Sequence, residues 1–250
     1  MSKKKIVFVG GKAFGLQILR YLIETEEVLF VITNKEDNED VWHTSVLEAI
    51  HYDQMICYPG NISDYKEVIR ASKPDFLICH GYDSIIKPDI LELFPKNHAI
   101  NLHTGLTVQY RGRYPTVFPI IDSKSEAGIT IHVMVEEVDA GPVYAQAKVY
   151  VDDMDTAETL YHKCSGAGLE KFKQIWPDIK SGKLQPKPID ISKSKVITKK
   201  DALSNEIQIW WNPLKIDKMV RALTFGPFKK PYFNVHGKKY ELHYKRGKVI

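Results

Sequence analysis

Lys5-Ile6-Val7-Phe8-Val9-Gly10-Gly11-Lys12-Ala13-Phe14-Gly15-Leu16-Gln17-Ile18-Leu19-Arg20-Tyr21-Leu22-Ile23 changes its hydrophobic period once, at a glycine pair. The run Lys5–Val9 is short, apolar and rich in β-branched residues, as a strand buried on both faces is. From Phe14 to Ile23 the apolar residues Phe14, Leu16, Ile18, Leu19, Leu22 and Ile23 roughly follow helical spacing. Strand, tight turn and helix in that order make the first half of a crossover unit, the element from which parallel sheets are built.

The alternation continues along the chain. Val28–Ile32, Met55–Tyr58, Phe76–Cys79 and His98–Leu102 read as four more strands, and helices fit at His43–Ile50, Asp64–Ala71 and Ile85–Leu93. In such a sheet ligands bind beyond the carboxyl ends of the strands, and Gly10, Gly81 and His103 all follow strands, so they converge on that edge. Gly128–Val135 and Val143–Val151 add two β-rich runs, and a helix from about Thr156 to Ile175 follows, opened by an Asp155 cap. The expected fold is α/β, a Rossmann-like, mostly parallel sheet over residues 1–180. Residues 181–205, rich in Lys, Ser and Pro, form an extended connection. Residues 206–250 form a small appendage: a helix Leu214–Leu223 and a β-hairpin over Tyr232–Leu242 that turns at His236-Gly237. There are no internal repeats.

Composition sets the class. A chain of 250 residues, 44% hydrophobic, can bury one sizeable core. The net charge of +4 is spread out, so it permits an anionic substrate without requiring nucleic acid. Cys57, Cys79 and Cys164 have no metal-site spacing and read as reduced thiols, with no zinc site. Met1-Ser-Lys-Lys-Lys is followed by too few apolar residues for a signal segment, and no run approaches the roughly 18 of a membrane span. The expectation is a soluble, cytoplasmic protein with no membrane partner.

Two short stretches carry chemistry: Ala99-Ile100-Asn101-Leu102-His103-Thr104-Gly105, and Val138-Asp139-Ala140-Gly141-Pro142. Asn101 and His103 are two apart, so at the end of an extended strand both side chains share a face. Asp139 lies in a turn between two β-rich runs. An amide can donate to a developing oxyanion, an imidazole can take a proton, and a carboxylate can hold that imidazole in one tautomer.

In this order and spacing the residues resemble the formyltransferases that use 10-formyltetrahydrofolate, whose catalytic set is Asn-x-His with a downstream Asp in an Asp-Ala-Gly turn. The family pattern continues through Ser-Leu-Leu-Pro to Arg-Gly and a proline. This chain keeps Leu106, Arg111-Gly112 and Pro115, with Gly105 in place of the Ser and Thr107-Val108 in place of Leu-Pro. The resemblance implies Asn101, His103 and Asp139 as catalytic residues, no metal, and 10-formyltetrahydrofolate as co-substrate. It implies that the loop Gly81-Tyr82, with Ile85 and Ile86 and with Asp139, lines the folate pocket. The loop from Thr104 through Tyr110, Arg111 and Arg113 would face the amine-bearing substrate. Apart from the resemblance, Arg111 and Arg113 suit bidentate contact with phosphate, and Gly10, Gly11 and Lys12 at a helix N-terminus suit it through backbone N–H groups. The segment Lys215–Pro227 is similar to the one after the catalytic domain of short bacterial dTDP-amino-sugar N-formyltransferases. That resemblance implies a substrate such as dTDP-4-amino-4,6-dideoxyglucose, for lipopolysaccharide O-antigen synthesis. Methionyl-tRNA formyltransferases are similar too, but carry a C-terminal β-barrel for which residues 206–250 are too few.

Plainer readings stand beside these. Gly10-Gly11-Lys12-Ala13-Phe14-Gly15 lacks the full dinucleotide spacing, and Asn34 stands where an acidic residue would close the second strand, so a tight turn without ligand is the alternative to a phosphate site. Cys79 reads as core filler and His80 as a loop residue. His132 alternates with Ile131 and Val133 and reads as a strand-face residue. Arg111 and Arg113 also fit a solvated loop. Trp210, Trp211, Phe225, Phe228, Tyr232 and Phe233 make the tail aromatic, and an apolar face that cannot close a barrel points to a homodimer through residues after Asn205. The rival functions are formyl transfer to methionyl-tRNA or a purine intermediate, an oxidoreductase, and a non-catalytic sugar-nucleotide-binding relative.

Overall fold

A computed structural model describes residues 2–34, 55–226, 228–245 and 247–250. The expected helix His43–Ile50 lies outside the described residues. The elements are β1 (Lys5–Gly10), α1 (Lys12–Thr25), β2 (Glu27–Thr33), β3 (Cys57–Pro59), α2 (Lys66–Ser72), β4 (Phe76–His80), α3 (Pro88–Leu91), β5 (Ala99–His103), β6 (Tyr110–Gly112), α4 (Phe118–Ile121), β7 (Glu126–Val133), β8 (Val143–Tyr150), α5 (Ala157–Lys180), β9 (Lys195–Ile197), α6 (Pro213–Leu223), and the short strands β10 (Tyr232–Val235), β11 (Lys238–Glu241), β12 (Tyr244–Lys245) and β13 (Lys248–Val249).

Among the described residues seven strands form one sheet in the order β3-β2-β1-β4-β5-β7-β8. The pairs from β3 to β5 are parallel, and β7 runs antiparallel to β5. This is the expected mostly parallel α/β sheet. Ile6, Val7, Phe8 and Val9 of β1 and Phe76, Leu77 and Ile78 of β4 are fully buried, which is why these strands read as unbroken apolar runs. The strand order reverses between β1 and β4, and that reversal opens the crevice at their carboxyl ends. Gly10 is paired there with His80. A side chain at Gly10 would put its Cβ 1.8 Å from the His80 carbonyl oxygen, and φ of +132° suits only glycine.

The chain divides into two compact units. One comprises Met1–His103, Thr130–Gln146 and Gly168–Asp190, the other Thr104–Ile129, Ala147–Ala167 and Ile191–Ile250. In the first, a core of Val7, Val9, Ile32, Ile69, Leu77 and Ile90 holds the strands whose ends carry the chemistry. The buried Glu26 accepts from Trp176 Nε1 at 2.8 Å and from Lys180 Nζ at 2.5 Å, which anchors the end of α5 past Pro177, five residues beyond its expected stop at Ile175.

In the second unit, β6 and β9 pair in parallel, with Tyr110 opposite Lys195. Ile120, Ala127, Leu160, Cys164 and Ala222 form one cluster there, and Ile207, Met219, Val220 and Leu242 another. The expected hairpin is present, with β10 and β11 turning at His236 (φ 48°) and Gly237 (φ 79°), as a two-residue hairpin turn requires. A second small hairpin, β12–β13, follows it.

Three expectations about the helices need correction. The helix expected at Ile85–Leu93 is only Pro88–Leu91, because Lys87 before the proline is held extended (φ −74°, ψ 156°). The expected helix Asp64–Ala71 begins as a 3-10 turn at Ile62–Tyr65 and becomes α-helical at Lys66. The residue that caps α5 is Thr156: its hydroxyl accepts from Thr159 N–H at 3.2 Å, and Thr159 Oγ1 accepts from Thr156 N–H at 2.9 Å. Asp155 supports that box by accepting from Thr159 Oγ1 and Lys163.

Candidate active site

The sheet register assembles a line of residues. Val9 pairs with Ile32 on one side and Cys79 on the other; Cys79 pairs with Asn101, and Asn101 with His132. Directly paired residues share a face, so the line passes from hydrocarbon to amide to imidazole. Burial pushes the Cys79 thiol up to about 12, helped by the Asp139 charge, so it is inert as a nucleophile.

Asp139 closes the site from the β7–β8 connection. Its φ of +49° is in the left-handed region, unusual for a residue with a Cβ. The turn is tied down nearby: Val133 N–H donates to the Pro142 carbonyl at 2.9 Å, and a Cβ on Gly141 would lie 1.9 Å from the Val133 oxygen. Asn101 Nδ2 donates to Asp139 Oδ1 at 3.1 Å, and His103 Nδ1 is 3.3 Å from Asp139 Oδ2. The amide and the imidazole named from the sequence thus each meet the same carboxylate. With Nδ1 turned to the carboxylate, His103 is left with Nε2 as the nitrogen able to accept a proton.

His132 is the residue that sequence reasoning set aside. It is a strand-face residue, but its face is the site's: Nε2 is 3.3 Å from Asp139 Oδ1 and accepts from Asn101 Nδ2 at 3.4 Å. Its Nδ1–H donates to the Val133 carbonyl at 2.9 Å, which fixes the ring. The strand alternation was visible in sequence; that Asn101 would sit opposite it was not.

The loop after β4 is clamped from two sides. Asn34 Nδ2 donates to the Gly81 carbonyl at 3.0 Å and its Oδ1 accepts Asp83 N–H at 2.8 Å. Tyr82 Oη accepts Ile62 N–H and donates to the Gly60 carbonyl, both at 2.8 Å. Asn34, noted in sequence only for the acidic residue it replaces, is therefore the brace of this loop. Ile86 is buried in the core cluster, and Ile85 is 68% exposed.

At the start of α1, Gly11 is the N-cap with no side-chain cap, and Lys12 has φ of +69°. The Lys12 stem lies against Gly81, whose added Cβ would meet Lys12 Cδ at 2.9 Å. Uncapped N–H groups beside an ammonium suit an anion. His80 is not the loop residue expected but the end of β4, 3% exposed. Its imidazole is pushed down to about 3 by burial, with Lys12 and His103 adding to the effect against the Leu102 carbonyl.

The remaining residues named from sequence belong to the second unit. Thr104 and Arg111 are buried, and Arg113 is half-buried. Tyr110 is 2% exposed and donates its hydroxyl to Asp122 at 2.7 Å, so the structure gives it an interior role. Among the described residues no group of three or more His, Cys, Asp or Glu could hold a metal ion, and no helix is long and apolar enough to cross a membrane.

The family model described as formyl transferase matches residues 4–175. The chain belongs to the formyl transferase family. It is 33% identical over 199 residues to the methionyl-tRNA formyltransferase of Listeria monocytogenes, a match covering 76% of this chain and 62% of that protein. The chain thus spans less than two thirds of the curated relative's length. Among solved structures, a 4-N formyltransferase from Francisella tularensis superposes with a TM-score of 0.78 at 24% identity, covering 97% of this chain and 98% of that one. An N-formyltransferase from Helicobacter canadensis, in complex with folinic acid and dTDP-3-aminofucose, gives 0.77 at 22% identity, covering 96% and 86%. At these identities the likeness is one of fold within the formyl transferase family.

The buried His80 implies a pH effect. Its unfolded value is near 6.5 and its folded value about 3. Between those values the unfolded state binds the extra proton, so stability is full above about pH 6.5 and falls as pH drops toward 3. His80→Asn removes this contribution, and its urea midpoint is expected to vary less steeply with pH across that window. Parallel midpoint curves for the two proteins would contradict a buried neutral ring.

Proposed function

We propose that this protein transfers the formyl group of 10-formyltetrahydrofolate to the amine of a nucleotide-linked amino sugar, with dTDP-4-amino-4,6-dideoxyglucose the best candidate. O-antigen assembly in the cytoplasm is the corresponding role. The observation that carries the reading is that Asn101 and His103, on β5, both meet Asp139 in a formyl transferase chain. The sugar acceptor is supported by the likeness to the Helicobacter N-formyltransferase, whose structure holds dTDP-3-aminofucose.

The chemistry follows from the contacts. His103 Nε2 takes the proton of the attacking amine as nitrogen bonds to the formyl carbon, a step general bases accelerate by about 10²–10⁴. Asp139 holds His103 through Nδ1 and stabilises the imidazolium that forms. Asn101 donates to the oxyanion of the tetrahedral intermediate, using the amide hydrogen whose contact with His132 is long at 3.4 Å and so the cheaper to give up. The intermediate then collapses: the bond from the formyl carbon to the folate nitrogen breaks, and that nitrogen takes up the proton held by the His103 imidazolium. The Gly81–Ile86 segment with Asp139 forms the folate side, and Gly10–Lys12 takes phosphate oxygens. The exposed Trp210, Leu214 and Phe228 support a homodimer through residues after Asn205.

Methionyl-tRNA is the second reading, favoured by the 33% identity to the Listeria enzyme. Formyl transfer assayed against 3-amino and 4-amino sugar nucleotides and against Met-tRNA separates the two. The expected result is turnover with an amino sugar, competition by dTDP that weakens modestly with salt, and no competition by bulk tRNA. Efficient formylation of Met-tRNA with a steep salt slope would overturn the sugar reading.

A further inference from the structure

The parallel ladder between β4 and β5 ends at the pair Cys79–Asn101, where β4 is about to turn away at Gly81. Leu102 lies one residue beyond that last rung. Its carbonyl accepts a hydrogen bond from a side chain: His80 Nδ1–H donates to it at 2.7 Å. The peptide held in this way joins Leu102 to His103. In the other direction, the His80 carbonyl accepts Gly11 N–H at 3.0 Å and packs closely on Gly10. One residue therefore ties the α1 turn to the strand end that carries the imidazole.

The ring is fitted for that task. It packs against Phe14 with ring centroids 4.7 Å apart and planes at 70°, and its Cδ2 lies beside Gly15. Its Nε2 is buried with no hydrogen-bond partner, so only Nδ1 has a use for a proton. Lys12 and His103 are the nearby cationic or titratable groups that disfavour a second proton. The result is a neutral ring in one tautomer, always a donor toward Leu102.

We infer that His80 is a positioning residue, holding the Leu102–His103 peptide so that the His103 imidazole is seated against Asp139. The kinetic part of this inference rests on the formyl-transfer reading; the contact itself does not. Asparagine places an amide nitrogen where Nδ1 stands and can keep the bond. Phenylalanine keeps the ring's bulk and leaves the carbonyl without a donor.

The test compares wild type, His80→Phe and His80→Asn by steady-state kinetics and by 15N-histidine NMR. His80→Phe is expected to lower kcat about 10- to 100-fold, the scale of a small misplacement, with both KM values within about threefold. His80→Asn should recover kcat to within about fivefold. By NMR, wild-type His80 should show the Nδ1–H tautomer without titrating between about pH 5 and 9, and the His103 signals should shift in His80→Phe but not in His80→Asn. Wild-type kcat in a folded His80→Phe protein, or equal damage in His80→Asn, overturns the inference. If His80→Phe does not fold, His80→Leu takes its place under the same criteria. If wild type formylates no acceptor, the functional reading fails and the NMR arm stands alone: unmoved His103 signals in His80→Phe then overturn the inference.

Discussion

A folded His103→Ala protein is expected to transfer formyl groups at least about a hundredfold more slowly than wild type, and Asn101→Ala to lose a similar amount. The loss should appear in kcat more than in KM, since both side chains act on charge that develops as the amine attacks. Folding should survive, because each change removes a polar side chain at the end of β5 and leaves the core of β1, β2 and β4 untouched. Circular dichroism and urea unfolding check the fold, and single-turnover formyl transfer checks the rate. Wild-type turnover in a folded His103→Ala protein would remove His103 as the base, and with it the mechanism.

Gly141→Ala is expected to damage activity from outside the reacting groups. The new methyl would stand 1.9 Å from the Val133 carbonyl oxygen, far inside contact distance, so the Asp139 turn has to move. A displacement of that kind costs on the order of 10²-fold in turnover when it reaches a residue that orients a base. Overpacking should also lower stability by about 1–3 kcal/mol. Gly166→Ala is the control. It lies in α5 with open space around it, and alanine there should be neutral or stabilising by about 0.5–1 kcal/mol. Full activity in Gly141→Ala would mean that the placement of Asp139 tolerates a shift of its turn.

The parts of the fold legible in sequence were those where one local cause decides the outcome. Ile6–Val9 and Phe76–Ile78 are unbroken apolar runs because these strands are buried on both faces, and the hairpin at His236-Gly237 is fixed by its own two residues. The helix expected through Ile85 fails for a reason the sequence also held, the restriction that Pro88 places on Lys87. The second hairpin, with strands of two residues, is too short to show a period.

The site was legible by residue type and order but not by contact. Asn101, His103 and Asp139 could be named, whereas His132 gains its place only from the antiparallel register of β7 on β5. Asn34 and Tyr82 brace the loop through backbone groups far along the chain, which no spacing reveals. Tyr110, grouped with the loop arginines, is spent on Asp122 because the short strand it belongs to is interior. Long-range partners decide these cases, and a single sequence shows local preference only.

The line Ile32–Val9–Cys79–Asn101–His132 crosses a boundary in polarity within the width of two strands. To one side lies hydrocarbon that screens poorly, as the thiol of Cys79 registers; to the other stand the ionisable rings. A dipole placed at such an edge, like the Asn101 amide, has its field weakened less by its surroundings than one in water. The apolar packing of β1, β2 and β4 is thus an electrostatic component of the site as well as a mechanical support. Filling that hydrocarbon with a buried water or a polar side chain would weaken the amide's hold on a nascent negative charge without moving a single reacting atom.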